Sequence, residues 1–408
     1  MKRPAPALVV VLAGISAALH IGKLPPALPV LHDTLHVTLV QAGFLLSLVQ
    51  LAGMTLGLAM GAAADAIGAR RTMIAGLVIL SAASLAGGMA ATPGALLALR
   101  AVEGAGFLLA SLPAPGLIRR LVAPQRLSAM LGLWGAYMPF GTASALLLGP
   151  ALIAAIGWPG WWWLLGLLSL AMAVVVWVAV PASADLRTGA SGTKLAQRIA
   201  RTLAAPGPWL ASLAFAAYSA QWLAVIGFLP TIYAQAGLAA GFTAVATALA
   251  AAVNMVGNIA SGRLLQRGVP APRLLQCGYL AMGLGAVLAF APWGEAGAWQ
   301  ALLRYAGVLA FSMVGGLIPG TLFSLAVRVA PEEGAVSSTV GWMQQWSAFG
   351  QFAGPPLAAW VAARAGGWHA TWWVTGAFAV AGLGISAAIA RFLAGHAAAR
   401  PTVSQGSS

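Results

Sequence analysis

Apolar runs of some twenty residues follow one another along nearly the whole chain, and no other feature constrains the fold as much. In hydrocarbon every backbone N–H and C=O must find an internal partner, so only helices and closed barrels span a bilayer. These runs do not alternate polar with apolar residues as barrel strands do, so they predict helices. At roughly 20 residues per crossing, the 408 residues accommodate a dozen spans with short loops. Only 7% of residues are charged, against about 25% in soluble domains. The expected fold class is an all-α membrane protein with twelve transmembrane helices.

The chain also repeats itself. Arg100 and Arg304, Phe107 and Phe311, and Pro115-Gly116 and Pro319-Gly320 each lie 204 residues apart. Ile21-Gly22-Lys23-Leu24-Pro25 matches Ile226-Gly227-Phe228-Leu229-Pro230 at 205, as Gly149-Pro150 matches Gly354-Pro355. This predicts two pseudo-symmetric six-helix bundles, the build of many secondary transporters, which hold substrate near the bilayer midplane. The expected boundaries are a first bundle over 1–181, a linker over 182–207, a second bundle over 208–393 and a disordered tail over 394–408.

The net charge of +14 would point to nucleic acid in a soluble protein. Its placement points to topology instead, with no nucleic-acid partner. With spans set by the apolar runs, every Lys and Arg except Lys23, Arg100, Arg304 and Arg364 falls on one side. The positive-inside rule puts that side, and both termini, in the cytoplasm of a multi-pass cell-membrane protein. Met1-Lys2-Arg3 before an apolar run, with Ser16-Ala17-Ala18 further on, resembles a signal peptide. The same run fits the repeat as the first membrane helix, and that reading is preferred. The single cysteine, Cys277, excludes an intrachain disulfide and suggests no Cys-based metal site. There is no Walker-type loop for ATP, and neither cofactor nor metal is expected.

Local signals place the elements. Helix 1 is expected over 7–29, and Thr38-Leu39-Val40-Gln41 has the capping-box spacing that starts helix 2. Gly157-Trp158-Pro159-Gly160 predicts a turn before helix 6, and Trp161-Trp162-Trp163 falls where an aromatic belt would sit. In the linker, Lys194 to Arg201 reads either as a basic amphipathic helix or as a solvated loop.

Three patterns carry a family resemblance: Gly61-x3-Asp65-x2-Gly68-x-Arg70-Arg71 between helices 2 and 3, Arg100 with Glu103-Gly104 on helix 4, and Gly141-x3-Ala145-x3-Gly149-Pro150 on helix 5. With them the chain resembles a major facilitator superfamily transporter. The helix 5 pattern has Ala145 for a glycine and Ile153-Ala154 where two glycines are usual, which weakens its association with antiport. Gly22-Lys23-Leu24-Pro25-Pro26-Ala27-Leu28-Pro29 and Leu133-Trp134-Gly135-Ala136-Tyr137-Met138-Pro139 are most similar to the cyanate and 2-nitroimidazole branch. The resemblance implies two bundles with helices 1, 4, 7 and 10 lining a cavity, and so Lys23, Arg100 and Arg304 around one space. It also implies a cytoplasmic latch made by Gly61, Asp65, Gly68, Arg70 and Arg71.

The site candidates follow from cost. An arginine in a span costs roughly 2.5–3.5 kcal/mol on the mildest scale, so it normally faces protein or water. As symmetry mates, Arg100 and Arg304 would clamp an anion with two planar donor forks. Alternatively each snorkels to water, or Arg100 pairs with Glu103 three positions on. Glu103 is the candidate for proton coupling, since a carboxylate that joins and leaves an arginine can exchange a proton as it does so. His20 and Lys23 share a face of helix 1; both are candidate substrate contacts, and His20 is also a candidate proton relay. Tyr137, Gln221, Asn254 and Gln344 are candidate polar liners, although each alone is as well explained by a helix–helix hydrogen bond. Together these predict a monomeric secondary active transporter in the lipid bilayer, moving a small anionic solute by alternating access, with protons the candidate coupling ion. The alternative is proton-coupled export of neutral or cationic drugs. An intramembrane enzyme would need a nucleophile–base pair or a metal cluster within the spans, and the sequence shows neither.

Overall fold

The computed structural model describes residues 5–58, 68–185, 192–293, 297–332 and 335–398. Ten helical segments among them are long and apolar enough to cross a membrane. One, Tyr137–Ala179, runs 43 residues, at ~1.5 Å per residue about twice the ~30 Å hydrocarbon core. It breaks at Gly157 (φ 72°, ψ 167°), a backbone conformation that favours glycine, and so supplies two spans. Val336–Ala365 is a further helix of 30 residues, made less apolar by its glutamines. Among the described residues the spans are therefore twelve: α1 Pro6–Leu35, α2 Leu39–Leu58, α3 Ala69–Gly87 and α4 Pro93–Leu121; α5 (124–156) and α6 (158–179); α7 Pro206–Gln235, α8 Ala240–Gln266, α9 Ala271–Phe290 and α10 Trp299–Val329; α11 Val336–Ala365; and α12 Trp368–Gly395. A linker helix, Gly192–Ala204, separates the halves.

Helix 1 outruns its expected end at residue 29. Pro25 and Pro26 lack the N–H groups an α-helix needs there, so a 3-10 turn, Pro25–Ala27, carries the chain into a further helix, Leu28–Leu35. The residues around His32 and Asp33 are therefore helical rather than loop. The capping box forms as read: Thr38 Oγ1 accepts from Gln41 N at 3.2 Å, and Thr38 N donates to Gln41 Oε1 at 2.9 Å. The linker segment is helical too, tied to the start of α11 by Thr202 Oγ1 and Ser338 Oγ at 2.6 Å and to Glu332, ahead of that helix, by an ion pair from Arg201.

Packing repeats from half to half. α1 lies on α5 as α7 lies on α11, α3 on α4 as α9 on α10, and α3 on α6 as α9 on α12. Small residues allow these approaches, as they do generally between membrane helices. A Cβ on Gly141 would stand 2.6 Å from Ala18, and one on Gly354 would stand 2.1 Å from the Ala220 carbonyl oxygen. The glycines of the helix 5 pattern thus let α5 meet α1. Across the halves, α2 packs on α11 and α5 on α8.

The two ends of the molecule differ. At the end bearing the linker helix, the first half buries its own core of Val9, Val10, Met73, Leu117, Ile118 and Val176, without residues of the second half. The second half has a core of its own, joined from the first half by Leu146 alone among its fully buried members. At the distal end one core spans both halves: Leu24, Leu28, Leu46 and Trp162 with Phe228 and Ala359. The halves are sealed together distally and keep separate cores toward the linker.

Candidate functional site

Within the first half, four elements bring charged and hydroxyl groups together with almost no solvent exposure. α1 contributes His20 and Lys23, α4 contributes Arg100 and Glu103, α3 contributes Ser84, and α6 contributes Ser169 and Trp162. Lys23 is 0% exposed, Arg100 and Glu103 1%. The Glu103 carboxylate bridges both cations. Its Oε1 takes the Lys23 ammonium, and its Oε2 accepts from Arg100 Nη1 at 2.6 Å.

Each member is held from behind. Lys23 Nζ donates to Ser84 Oγ at 2.9 Å and lies 4.6 Å from the Trp162 ring centroid, a cation–π contact. Ser84 Oγ in turn donates to the Trp162 carbonyl at 2.8 Å. The break after Lys23 matters here: Ala27 N turns to Leu24 O, and the Lys23 carbonyl instead accepts from Trp161 Nε1 at 3.1 Å. His20 places Nδ1 3.4 Å from Lys23 Nζ and Nε2 2.8 Å from Ser169 Oγ. Arg100 Nε donates to the Leu45 carbonyl of α2 at 3.0 Å, while its Nη2 is buried without an acceptor. Burying an ion pair costs several kcal/mol per ion unless the geometry compensates, so a cluster of two cations and one carboxylate is a costly feature for a fold to keep.

The other sequence candidates fall elsewhere. Arg304, the symmetry mate of Arg100, is exposed near the distal end of α10, with no charged or hydrogen-bonding partner among the described residues. The expected arginine clamp is therefore not assembled in this structure: Arg100 is spent on Glu103 and α2. Lys23 joins that same first-half cluster, while its repeat twin Phe228 plugs the distal core. Gln344 is exposed, and it is the next residue, Gln345, that reaches α2, accepting from Leu58 N at 3.0 Å. Tyr137 stacks on Trp134 at 4.1 Å within the first-half core. Gln221 is buried, with Nε2 on the Ala217 carbonyl at 3.1 Å and Oε1 unpaired. Asn254 forms a second, neutral cluster: Nδ2 donates to Tyr218 Oη at 2.9 Å and to Ser312 O at 2.8 Å, and Trp222 Nε1 donates to Ser312 Oγ at 3.2 Å. Trp161 and Trp162, expected in an interfacial belt, are 2% and 1% exposed, and only Trp163 faces outward. Of the latch pattern, Gly61 and Asp65 lie outside the described residues. Gly68 opens α3 at φ 107°, and Arg70 Nε donates to Val180 O at 2.8 Å at the end of α6.

Sequence reasoning missed Ser84, Ser169 and the Leu45 carbonyl. The available signal was Ser81-Ala82-Ala83-Ser84, a pair of hydroxyls in an apolar span.

A duplicated bundle of twelve helices with a buried charge cluster in one half defines a polytopic α-helical membrane protein of the two-bundle kind. The chain belongs to the Major Facilitator Superfamily, whose model matches residues 7–351. It is 32% identical over 308 residues to Monocarboxylate transporter 11 of Mus musculus, a match that covers 70% of this chain and 64% of the mouse protein. It is 27% identical over 157 residues to the Tetracenomycin C resistance and export protein of Streptomyces glaucescens, covering 38% of this chain and 29% of that one. Among solved structures, the fold is similar to an inward-facing, occupied bacterial homologue of the human lysosomal transporter Spinster. The TM-score is 0.75 at 16% identity, over 95% of this chain and 96% of that one. A D-xylose-proton symporter superposes with a TM-score of 0.74 at 15% identity, over 95% and 97% of the two chains.

Proposed function

We propose that the protein is a proton-coupled secondary active transporter of a small organic anion, working by alternating access. One observation carries this reading: two buried cations, Lys23 and Arg100, face one carboxylate, Glu103, and a guanidinium N–H2 of Arg100 has no acceptor. The cluster carries a surplus positive charge and an unused donor, which favours an anion, and a carboxylate that can exchange partners, which favours proton coupling. The similarity to a monocarboxylate transporter leads us to place a monocarboxylate first among substrates. The similarity to an export protein leaves drug export as the second reading. The narrower resemblance to the cyanate and 2-nitroimidazole branch rests on the helix 1 and helix 5 stretches alone. In this scheme the linker end is cytoplasmic, by the bias of Lys and Arg, and Gly61, Asp65, Gly68, Arg70 and Arg71 are its latch. Asn254, Tyr218 and Gln221 are the second half's solute contacts.

The test is uptake of labelled short-chain monocarboxylates, nitroimidazoles and neutral sugars into proteoliposomes, with and without an imposed pH gradient. Accumulation of a monocarboxylate only with the gradient supports the reading. Gradient-independent uptake of neutral solutes refutes it.

A further inference from the structure

α2 is not a uniform helix. It is α-helical over Leu39–Ser47, tightens to a 3-10 turn over Leu48–Gln50, and then resumes. A mid-helix 3-10 stretch has to be held by something, since its hydrogen-bond geometry is poorer. Two contacts from α4 hold this one. Arg100 Nε donates to the Leu45 carbonyl, whose α-helical donor would be Val49 N. One turn further along α4, a Cβ on Gly104 would lie 2.5 Å from the Val49 carbonyl oxygen, so α4 presses directly on the turn. A side chain inserted into the i→i−4 ladder is a recognised cause of a helix bend.

The turn ends on Gln50, which leaves the first half altogether. Its Nε2 donates to Gln351 Oε1 of α11 at 3.0 Å. From there a chain of polar groups runs into the second half: Gln351 Nε2 to Ser347 Oγ at 3.4 Å, and Ser347 Oγ to Ser219 Oγ of α7 at 2.7 Å. Gln50 is 4% exposed, so its amide has no water to fall back on.

We infer that the 3-10 turn of α2 relays the state of the Glu103 cluster to the contact between the halves. While Glu103 holds Arg100, the guanidinium keeps the Leu45 carbonyl and the turn, and the turn aims Gln50 at Gln351, favouring the distally sealed state. When Glu103 is neutral, Arg100 is released, the ladder of α2 closes and Gln50 turns off Gln351. The groups facing Glu103 are His20 and Lys23 from α1 and Arg100 from α4. α3 adds the Ser84 hydroxyl, on Lys23, and α6 adds Ser169, on His20. No other ionisable side chain is in contact with Glu103 among the described residues. Gln50 and Gln351 are positioning residues, and this inference rests on the proton-coupling role proposed for Glu103.

The test uses full-length protein in nanodiscs. In a Cys277→Ser background, Arg126→Cys on α5 and Arg263→Cys on α8, both exposed, carry a spin-label pair whose separation reports closure at the linker end. Glu103→Gln alone and Gln50→Ala alone should each raise the ratio of the short-distance to the long-distance population by about fivefold, the order expected for one net hydrogen bond. The double variant should show no further change, because both act through one turn. Gln351→Ala breaks the same bond from the other side and should match Gln50→Ala, whether or not the latter folds well. Unchanged distances in Gln351→Ala, or effects of Glu103→Gln and Gln351→Ala that multiply, overturn the relay. Proton-driven uptake that survives Glu103→Gln refutes the transport reading, while these distances judge the relay by themselves.

Discussion

Removing Glu103 should cost far more stability than removing Lys23, and removing both should cost less than removing Glu103 alone. The cluster holds two cations and one carboxylate, all at 0–1% exposure. Glu103→Gln leaves Lys23 and Arg100 facing each other uncompensated, and breaking a buried pair by deleting one partner costs about 3–5 kcal/mol. Lys23→Met keeps the volume and leaves Arg100 and Glu103 as a neutral pair, with a cost of about 1–3 kcal/mol from the lost bonds to the carboxylate and Ser84. For a cooperative unit the size of one half, about 2–4 °C of melting temperature corresponds to each kcal/mol. Glu103→Gln should therefore lower the midpoint by about 6–20 °C. Lys23→Met/Glu103→Gln removes one of the two stranded cations and should recover at least about 4 °C of that loss, about 1–2 kcal/mol; added to the single cost of Lys23→Met, that is a coupling of about 2–5 kcal/mol. The assay is thermal unfolding of the four purified proteins in one detergent. A double variant whose loss equals the sum of the two single losses would show that the Lys23–Glu103 contact carries no energetic weight, and the account of the site would fail.

Further expectations follow from the same geometry. Arg100→Lys should abolish gradient-driven uptake, because Arg100 serves Glu103 through Nη1 and Leu45 through Nε, which one ammonium cannot do at that spacing. Arg304→Ala, at an exposed position, should leave stability within about 0.5 kcal/mol and leave uptake unchanged. Asn254→Leu should cost about 1–3 kcal/mol, since Tyr218 Oη and the Ser312 carbonyl lose their shared donor, measurable as a fall in melting midpoint. Thr38→Ala removes one side of the capping box and should cost about 1 kcal/mol, with no change in the pH dependence of uptake.

Much of the fold is written in local chemistry. Apolar runs, the offset of 204–205 residues and the Thr38 cap define spans and duplication because each depends on neighbours in sequence. The Arg100–Glu103 pair is equally local, three residues on one helix face. The bond between Lys23 and Glu103 is not: it joins residues 80 positions apart, and it depends on α1 breaking at Pro25-Pro26 and lying against α4 and α6. Arg304 shows where repeat logic stops. Symmetry gives it the same place on its helix as Arg100, yet α10 is exposed there and offers no acid beside it. Gln344 and Gln345 differ by one residue, which is about 100° around a helix, enough to turn one outward and the other onto α2. Trp161 and Trp162 look like a belt from their position near a span end. Burial against α1 and α3 overrides that, because Lys23 draws both indoles inward, Trp161 onto its carbonyl and Trp162 under its ammonium.

The central claim is that the Glu103 cluster couples protons to solute movement, and one comparison tests it most directly. Proteoliposomes holding the parent protein or Glu103→Gln are measured for monocarboxylate accumulation under an imposed pH gradient and for exchange of label at equal solute and pH on both sides. The account predicts that Glu103→Gln loses accumulation yet retains exchange, since binding and rocking persist once the proton step is removed. Accumulation that survives in Glu103→Gln would contradict it.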